Sequence, residues 1–209
     1  MKIIGMTGGI ASGKSTVTRM LAERGAIVYS ADEDARAVVA PGTPGLAAVL
    51  EAFPEVRAAD GSLDRAALGA RIFADPEARA RLDALTHPAI VARMRKVIAE
   101  ARAGGEPGVL VYEVPLLYEA GRESLFDAII AVLATPAHQA ERLQTREAAK
   151  GRPPLSEEAI AERLASQLSP EEKARRANYV IRTDVPLEET EAQVEKLWEQ
   201  LRTSSVSGP

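Results

Sequence analysis

Gly8-Gly9-Ile10-Ala11-Ser12-Gly13-Lys14-Ser15 is the stretch on which the reading of this chain turns. It fits G-x-x-x-x-G-K-[ST] without a gap. The run before it, Ile3-Ile4-Gly5-Met6, reads as a short buried strand. After it, Val17, Met20 and Leu21 recur at helical spacing between Lys14 and Arg24, and Gly25 stops the helix. Strand, glycine loop and helix are the setting the motif demands, and each residue type has a physical reason. Glycines let the backbone wrap close to phosphate oxygens in conformations that a side chain forbids. Successive N–H groups then form a concave anion nest, and the following helix presents its positive end to the same place. Gly8, Gly9, Ile10, Ala11, Ser12, Gly13, Lys14, Ser15 and Thr16 are therefore expected to hold nucleotide phosphates. Lys14 would reach the β- and γ-phosphates, and the Ser15 hydroxyl would ligate Mg²⁺. A ligand-free glycine turn would match the motif by chance in fewer than about one such chain in a hundred.

Outward from the loop, Ala26-Ile27-Val28-Tyr29 reads as a second buried strand, so the order favours a parallel α/β sheet. Residues 31–40 are predicted helical, and Pro41-Gly42-Thr43-Pro44-Gly45 breaks that run. The pattern then stays helical to about residue 103, with Thr86-His87-Pro88 predicting a helix start capped by Thr86. So long a helical insertion reads as a subdomain beside the sheet. Val109–Tyr112 and Ala128–Leu133 return as inner parallel strands, apolar on both faces. A charged helix over 137–149, the hinge-like Gly151-Arg152-Pro153-Pro154, a helix capped by Ser156, a strand at Tyr179-Val180-Ile181 and a helix over 187–202 complete the pattern. A polar, frayed tail is expected after that.

Composition bounds the function. With 26 basic and 30 acidic residues the net charge is −4, which argues against a nucleic-acid partner. The absence of cysteine excludes a disulfide scaffold, a cysteine nucleophile and a thiolate metal site; two histidines make a histidine-rich zinc site a poor fit. No run approaches the ~20 apolar residues of a membrane helix, and no signal peptide precedes the glycine loop. A cytoplasmic monomer with no membrane partner is expected. N-K-x-D is absent, which weakens a Ras-like reading, and the 209-residue length suits a small kinase.

Such a kinase needs a group to take or orient the proton of the attacking hydroxyl. Asp32 follows the second strand, at the sheet edge where ligands bind in parallel α/β folds; capping the next helix is the alternative role. Asp34 is expected to be a solvated charge. Cations are also needed on the transferring group. Arg142 and Arg146 share a helix face, with Arg152 and Arg163 as further candidates. A kinase for another acceptor, or a nucleotide-dependent binding module, are the competing readings.

Several segments resemble the dephospho-CoA kinase family. The opening, Gly5 to Ser15, is similar to its T-G-G-I-x-S-G-K-S loop. Val38-Val39-Ala40-Pro41-Gly42, Asp60-Gly61-Ser62-Leu63-Asp64-Arg65-Ala66-Ala67-Leu68 with Ile72-Phe73, Leu85-Thr86-His87-Pro88, and Pro115-Leu116-Leu117-Tyr118-Glu119 resemble further signatures in the same order. The resemblance implies ATP-dependent phosphorylation of the ribose 3′-hydroxyl of dephospho-CoA, the last step of coenzyme A synthesis, with ATP and Mg²⁺ as cofactors. It implies an α/β fold: a P-loop NTPase-like parallel sheet flanked by helices, with an inserted helical substrate-binding subdomain and a helical lid. One kinase domain would span 1–203, with core segments 1–33, 104–140 and 177–203, a CoA-binding insertion at 34–103, a lid at 141–176 and a flexible tail at 204–209. Asp32 would be the base, Lys14 the phosphate-loop lysine and Arg142 the arginine closing over the phosphates. Arg146 would assist with the nucleotide, and His87, Leu116 and Leu117 would border the acceptor. Two departures stand out. Ser30 replaces the first aspartate of the family's D-x-D, and Ala177-Asn178-Tyr179-Val180-Ile181-Arg182-Thr183-Asp184 replaces A-D-x-V-I-x-N, a segment tied to adenine contacts.

Overall fold

A strand can be covered by helices on both sides only if it is apolar on both faces, and β1 (Lys2–Gly8) is buried at every residue after Lys2. The computed structural model describes residues 1–105 and 107–203, so the expected tail at 204–209 lies outside the described residues. The buried apolar runs β3 (Val109–Glu113) and β4 (Ala128–Leu133) pair with β1 in parallel, with Met6 opposite both Glu113 and Ile130. β5 (Tyr179–Arg182) joins β4, and β2 (Ile27–Ser30) joins β3, giving the order β2-β3-β1-β4-β5. The chain leaves central β1 to one side first and to the other later. The loop after β1 therefore stands at the sheet's switch point, where such sheets bind ligands.

α1 (Lys14–Glu23) and α9 (Leu187–Thr203) share a core with the sheet, in which Val17 and Leu21 of α1 meet Val194 and Trp198 of α9. Aromatics are only 4% of the chain, so this core is mainly aliphatic. α6 (Pro136–Ala149), α7 (Glu157–Ala165) and α8 (Pro170–Arg176) lie between β4 and β5. Each starts on a proline or glutamate behind a hydroxyl cap: Thr135, Ser156 and Ser169 accept from the N–H of the third helical residue.

The chain divides into two compact units. One is Met1–Tyr29 with the chain from Gly104 onward, and the other is Ser30–Ala103. The second contains α2 (Ala31–Val38), α3 (Pro44–Ala52), α4 (Arg65–Ala74) and α5 (Pro76–Ala103), packed around Val49, Phe53, Val56 and Ile90. Thr43, Asp64 and Asp75 accept N–H bonds at the starts of α3, α4 and α5. Among the described residues no helix is long and apolar enough to cross a membrane.

Three expectations are corrected. β2 is not fully buried: Ile27 is 45% and Tyr29 37% exposed, because β2 is an edge strand. No helix starts at Thr86, since α5 runs unbroken from Pro76 to Ala103 through Pro88. Pro88 has no N–H for the Ala84 carbonyl, a loss confined to one bond on an exposed face. Ile90, Met94 and Ile98 bury the other face and keep the helix continuous, and the Thr86 hydroxyl donates to Leu82 O (2.9 Å) instead of capping. Finally, Asp34 is buried and paired with Arg93 at 3.1 Å. Burial pushes its carboxyl up, and the Arg93 guanidinium pulls the other way.

Candidate active site

Gly8 ends β1 where nothing larger fits: a Cβ would lie 2.3 Å from the Val132 carbonyl oxygen and 2.6 Å from Ser12 Oγ. Gly13 precedes α1 at φ 85°, and Ala11, at φ 55°, is the only non-glycine with positive φ among the described residues. Alternation of left- and right-handed conformations turns successive N–H groups to one side. The Ser12 N–H closes the turn on Gly9 O (3.2 Å), and the N–H groups of Thr16 and Val17 share Gly13 O. Those of Ala11, Gly13 and Ser15 donate to no protein group among the described residues.

Three successive loop carbonyls are held from behind. Gln139 Nε2 in α6 donates to Ile10 O (2.6 Å), Arg142 Nη1 to Ala11 O (3.4 Å), and Thr183 Oγ1, just past β5, to Ser12 O (2.7 Å). In a trans peptide C=O and N–H point in opposite directions. Holding the Ile10 and Ser12 carbonyls therefore aims the Ala11 and Gly13 N–H groups the other way, where an anion can accept from both. Lys14 Nζ lies over the loop, donating to Gly8 O (3.0 Å) and Gly9 O (2.9 Å). Ser15 is exposed in the first turn of α1, and its hydroxyl makes no hydrogen bond among the described residues. Thr16, one step on, is half-buried.

The arginines divide. Arg142 donates to Thr183 Oγ1 (2.9 Å) and to the Thr183 carbonyl, joining the loop to the end of β5. Arg146 is exposed and makes no ion pair among the described residues. Arg152 pairs with buried Glu147 (3.3 Å). In the other unit, the Ser30 hydroxyl accepts from the Asp32 N–H (3.2 Å) and is the N-cap of α2. The capping role considered for Asp32 thus belongs to Ser30. Asp32 sits in the first turn, exposed, its carboxylate without a hydrogen bond or ion pair among the described residues.

The expected acceptor residues separate as well. His87 is exposed on α5, with Nε2 3.5 Å from Asp83 Oδ1. It lines an open cavity of about 510 Å³ with Pro88, Val91 and Arg95. Leu116 is exposed, but Leu117 is fully buried against the Gly5 backbone and Phe126. Leu117 is a core residue and offers no surface to an acceptor.

Sequence reasoning missed the loop contacts of Gln139 and Gln167, took Thr183 only as part of the 177–184 departure, and passed over Glu113. Glu113 was marked only by being the charged end of an apolar strand; its Oε2 accepts from Thr18 Oγ1 (3.3 Å). Asn178, noted as a departure, pins β5 to β4: its Oδ1 accepts from Ile129 N–H (2.8 Å) and its own N–H donates to Ile129 O (3.0 Å). The side-chain oxygen of an aspartate could accept the first of these bonds equally well.

Behind the 115–119 turn, Lys173 of α8 is fully buried, with Nζ 2.8 Å from Glu119 Oε1 and 3.4 Å from Pro115 O. Burial pushes the Glu119 carboxyl up, but bonds from Lys173 and the Leu168 N–H outweigh it and hold the group below its ordinary range. The pair therefore adds stability at neutral pH that is lost as pH falls through the folded-state value. Lys173→Met is expected to destabilise the chain by about 1–2 kcal/mol, because it leaves the Glu119 carboxylate, which solvent partly reaches, with only the Leu168 N–H. Lys173→Met combined with Glu119→Gln should restore much of this loss; denaturant titration of both variants checks it. Tyr118 Oη is also buried, without a hydrogen-bond partner among the described residues, and burial pushes its pKa up to about 12. Tyr118→Phe keeps the ring under Arg176 (4.3 Å) and removes an unsatisfied hydroxyl. Its thermal midpoint is expected to match or exceed that of the parent, by up to about 1 kcal/mol in stability.

Comparison with known proteins completes the picture. The sequence profile of the dephospho-CoA kinase family matches residues 2–189. A relative named dephospho-CoA kinase from Anaeromyxobacter dehalogenans is 48% identical over 203 residues, covering 97% of this chain and 93% of that one. The fold is similar to TT1252 from Thermus thermophilus, with a TM-score of 0.78 and 31% identity over 97% of this chain and 98% of that one. A shikimate kinase from Acinetobacter baumannii shares the fold alone, with a TM-score of 0.51 and 18% identity over 96% of this chain and 92% of its own. A parallel sheet with a phosphate loop at its switch point is common to many kinases, whereas near-half identity along almost the whole chain is not: the chain belongs to the dephospho-CoA kinase family.

Proposed function

We propose that this chain transfers the γ-phosphoryl group of ATP to the ribose 3′-hydroxyl of dephospho-CoA, yielding coenzyme A and ADP. The observation that carries the reading is the loop itself, whose Ala11, Gly13 and Ser15 N–H groups have no protein acceptor among the described residues while the carbonyls of Ile10, Ala11 and Ser12 are bound from behind. That arrangement suits a polyphosphate. In the reaction the acceptor oxygen bonds to the γ-phosphorus, the bond to the ADP oxygen breaks, and the hydroxyl proton passes to Asp32. Lys14 offsets charge on the β- and γ-phosphates, Arg142 braces the loop and adds a cation beside it, and Arg146 is the exposed cation one turn further on.

The residues present also fit Mg²⁺. The Ser15 hydroxyl is exposed and uncommitted, and among the described residues no cluster of three or more His, Cys, Asp or Glu side chains forms a cage. Mg²⁺ bound mainly by substrate phosphates needs only one or two protein ligands. When bound it would neutralise phosphate charge, and Ser15 would be the side chain that holds it.

The unit Ser30–Ala103 is assigned to acceptor binding, with His87 and exposed Leu116 bordering the acceptor, and residues 141–176 act as the lid. The purified chain should release ADP with ATP, Mg²⁺ and dephospho-CoA, and give a product one phosphoryl group heavier, with phosphorus NMR locating it on the 3′-oxygen. ATP binding without ADP formation on dephospho-CoA would overturn the assignment of acceptor.

A further inference from the structure

We infer that Gln139 and Gln167 are positioning residues for phosphoryl transfer, which together set the two peptide groups flanking Ile10. The inference rests on the nucleotide reading of the loop proposed above. Gln139 is buried in α6 and donates from Nε2 to Ile10 O (2.6 Å); the half-buried Gln167, between α7 and α8, accepts on Oε1 from the Ile10 N–H (2.9 Å). The two bonds have opposite polarity, so each glutamine needs a different half of its amide.

Their effect reaches the phosphate-facing groups through geometry. The Ile10 carbonyl and the Ala11 N–H belong to one trans peptide, so the bond from Gln139 fixes where the Ala11 N–H points. Ala11 holds a left-handed φ of 55° that a non-glycine residue adopts only when its surroundings impose it. Gly9 makes room for this brace: a Cβ there would stand 2.4 Å from Gln139 Nε2. Gln167 fixes the preceding peptide. Its segment is tied down in turn, since the Leu168 N–H donates to Glu119 Oε1 (3.0 Å), which also receives Lys173. The loop is thereby braced by α6 on one side and by the α7–α8 connection on the other.

The test compares methionine and glutamate at each position in the full chain. Calorimetry gives the ATP dissociation constant, steady-state assays with dephospho-CoA give kcat and KM, and thermal midpoints are measured alongside. Gln167→Met should weaken ATP binding and lower kcat, each by about 10-fold or more, because the N–H groups are misaimed. Gln167→Glu retains the acceptor for the Ile10 N–H and should recover the lost kcat, although its added charge keeps KM for ATP raised. Gln139→Glu should not recover what Gln139→Met loses, since a carboxylate cannot donate to the Ile10 carbonyl. KM for dephospho-CoA should stay at its parent value throughout. Parent-like ATP affinity and kcat in Gln167→Met, equal behaviour of Gln167→Met and Gln167→Glu, or recovery by Gln139→Glu of what Gln139→Met loses would overturn the inference. Should the Gln139 variants fail to fold, the pair at the half-buried Gln167 decides it. If the parent chain does not phosphorylate dephospho-CoA, the acceptor reading falls while the ATP dissociation constants still decide the roles of the glutamines.

Discussion

Lys14→Ala is expected to lower kcat/KM for ATP by about 10²–10³-fold, the loss typical of removing one preorganised group that faces developing charge. The ammonium rests on the carbonyls of Gly8 and Gly9, already positioned beside the loop's N–H groups. Its removal takes away a positive charge and leaves the carbonyls of buried Gly8 and half-buried Gly9 without this donor, so a fall in thermal midpoint of a few degrees at most is expected beside the much larger kinetic loss. Arginine at this position should not restore activity: a planar guanidinium is larger and cannot sit as a point charge on the two carbonyls. Steady-state kinetics with a parallel melting curve checks the split, and a variant with parent-like kcat/KM would remove Lys14 from the machinery.

Asp32→Asn is expected to lower kcat by about 10²-fold with ATP affinity unchanged. The figure is the low end of general-base effects, because a loose phosphoryl-transfer transition state asks little of its base. The structure makes this substitution unusually clean. The Asp32 side chain is exposed and bonded to no other residue among those described, while the cap of α2 is supplied by Ser30. An isosteric amide therefore removes the proton acceptor and its charge in the first turn of α2 without breaking a hydrogen bond or ion pair among the described residues. Near-parent kcat would exclude Asp32 as the base, and a fall in ATP affinity matching the fall in kcat would point to a binding role. Ser30, the departure from the resembled D-x-D pattern, supplies the cap hydroxyl.

Much of the sheet was legible because its inner strands are short, wholly apolar and bounded by glycine or charge, as in Val109–Tyr112 and Ala128–Leu133. What failed was exposure and continuity. Val28 and its neighbours look like an inner strand, yet strand order puts them at the edge, where Ile27 and Tyr29 reach solvent. Thr86-His87-Pro88 has the composition of a helix start, yet the true cap is Asp75, and packing of Ile90, Met94 and Ile98 outweighs one missing backbone bond. Asp34, two residues and so nearly half a turn round the helix from exposed Asp32, lies on the buried face of α2, where it pairs with Arg93 of α5.

By itself the sequence determined the phosphate loop, its glycines, Lys14 and Ser15, because a loop that wraps an anion is a local object whose conformation is dictated by neighbouring residue types. It also carried enough signatures in order to indicate the family. Only the tertiary structure decided what braces that loop. Gln139, Arg142, Gln167 and Thr183 stand 129, 131, 157 and 171 residues from the loop atoms that they bind. Their hydrogen bonds exist because β4 pairs with β1 and β5 with β4, and no local pattern of glutamine, arginine or threonine encodes which distant backbone group each will meet. The same holds for Leu117 and Leu116, adjacent and chemically identical, of which the turn buries one and exposes the other.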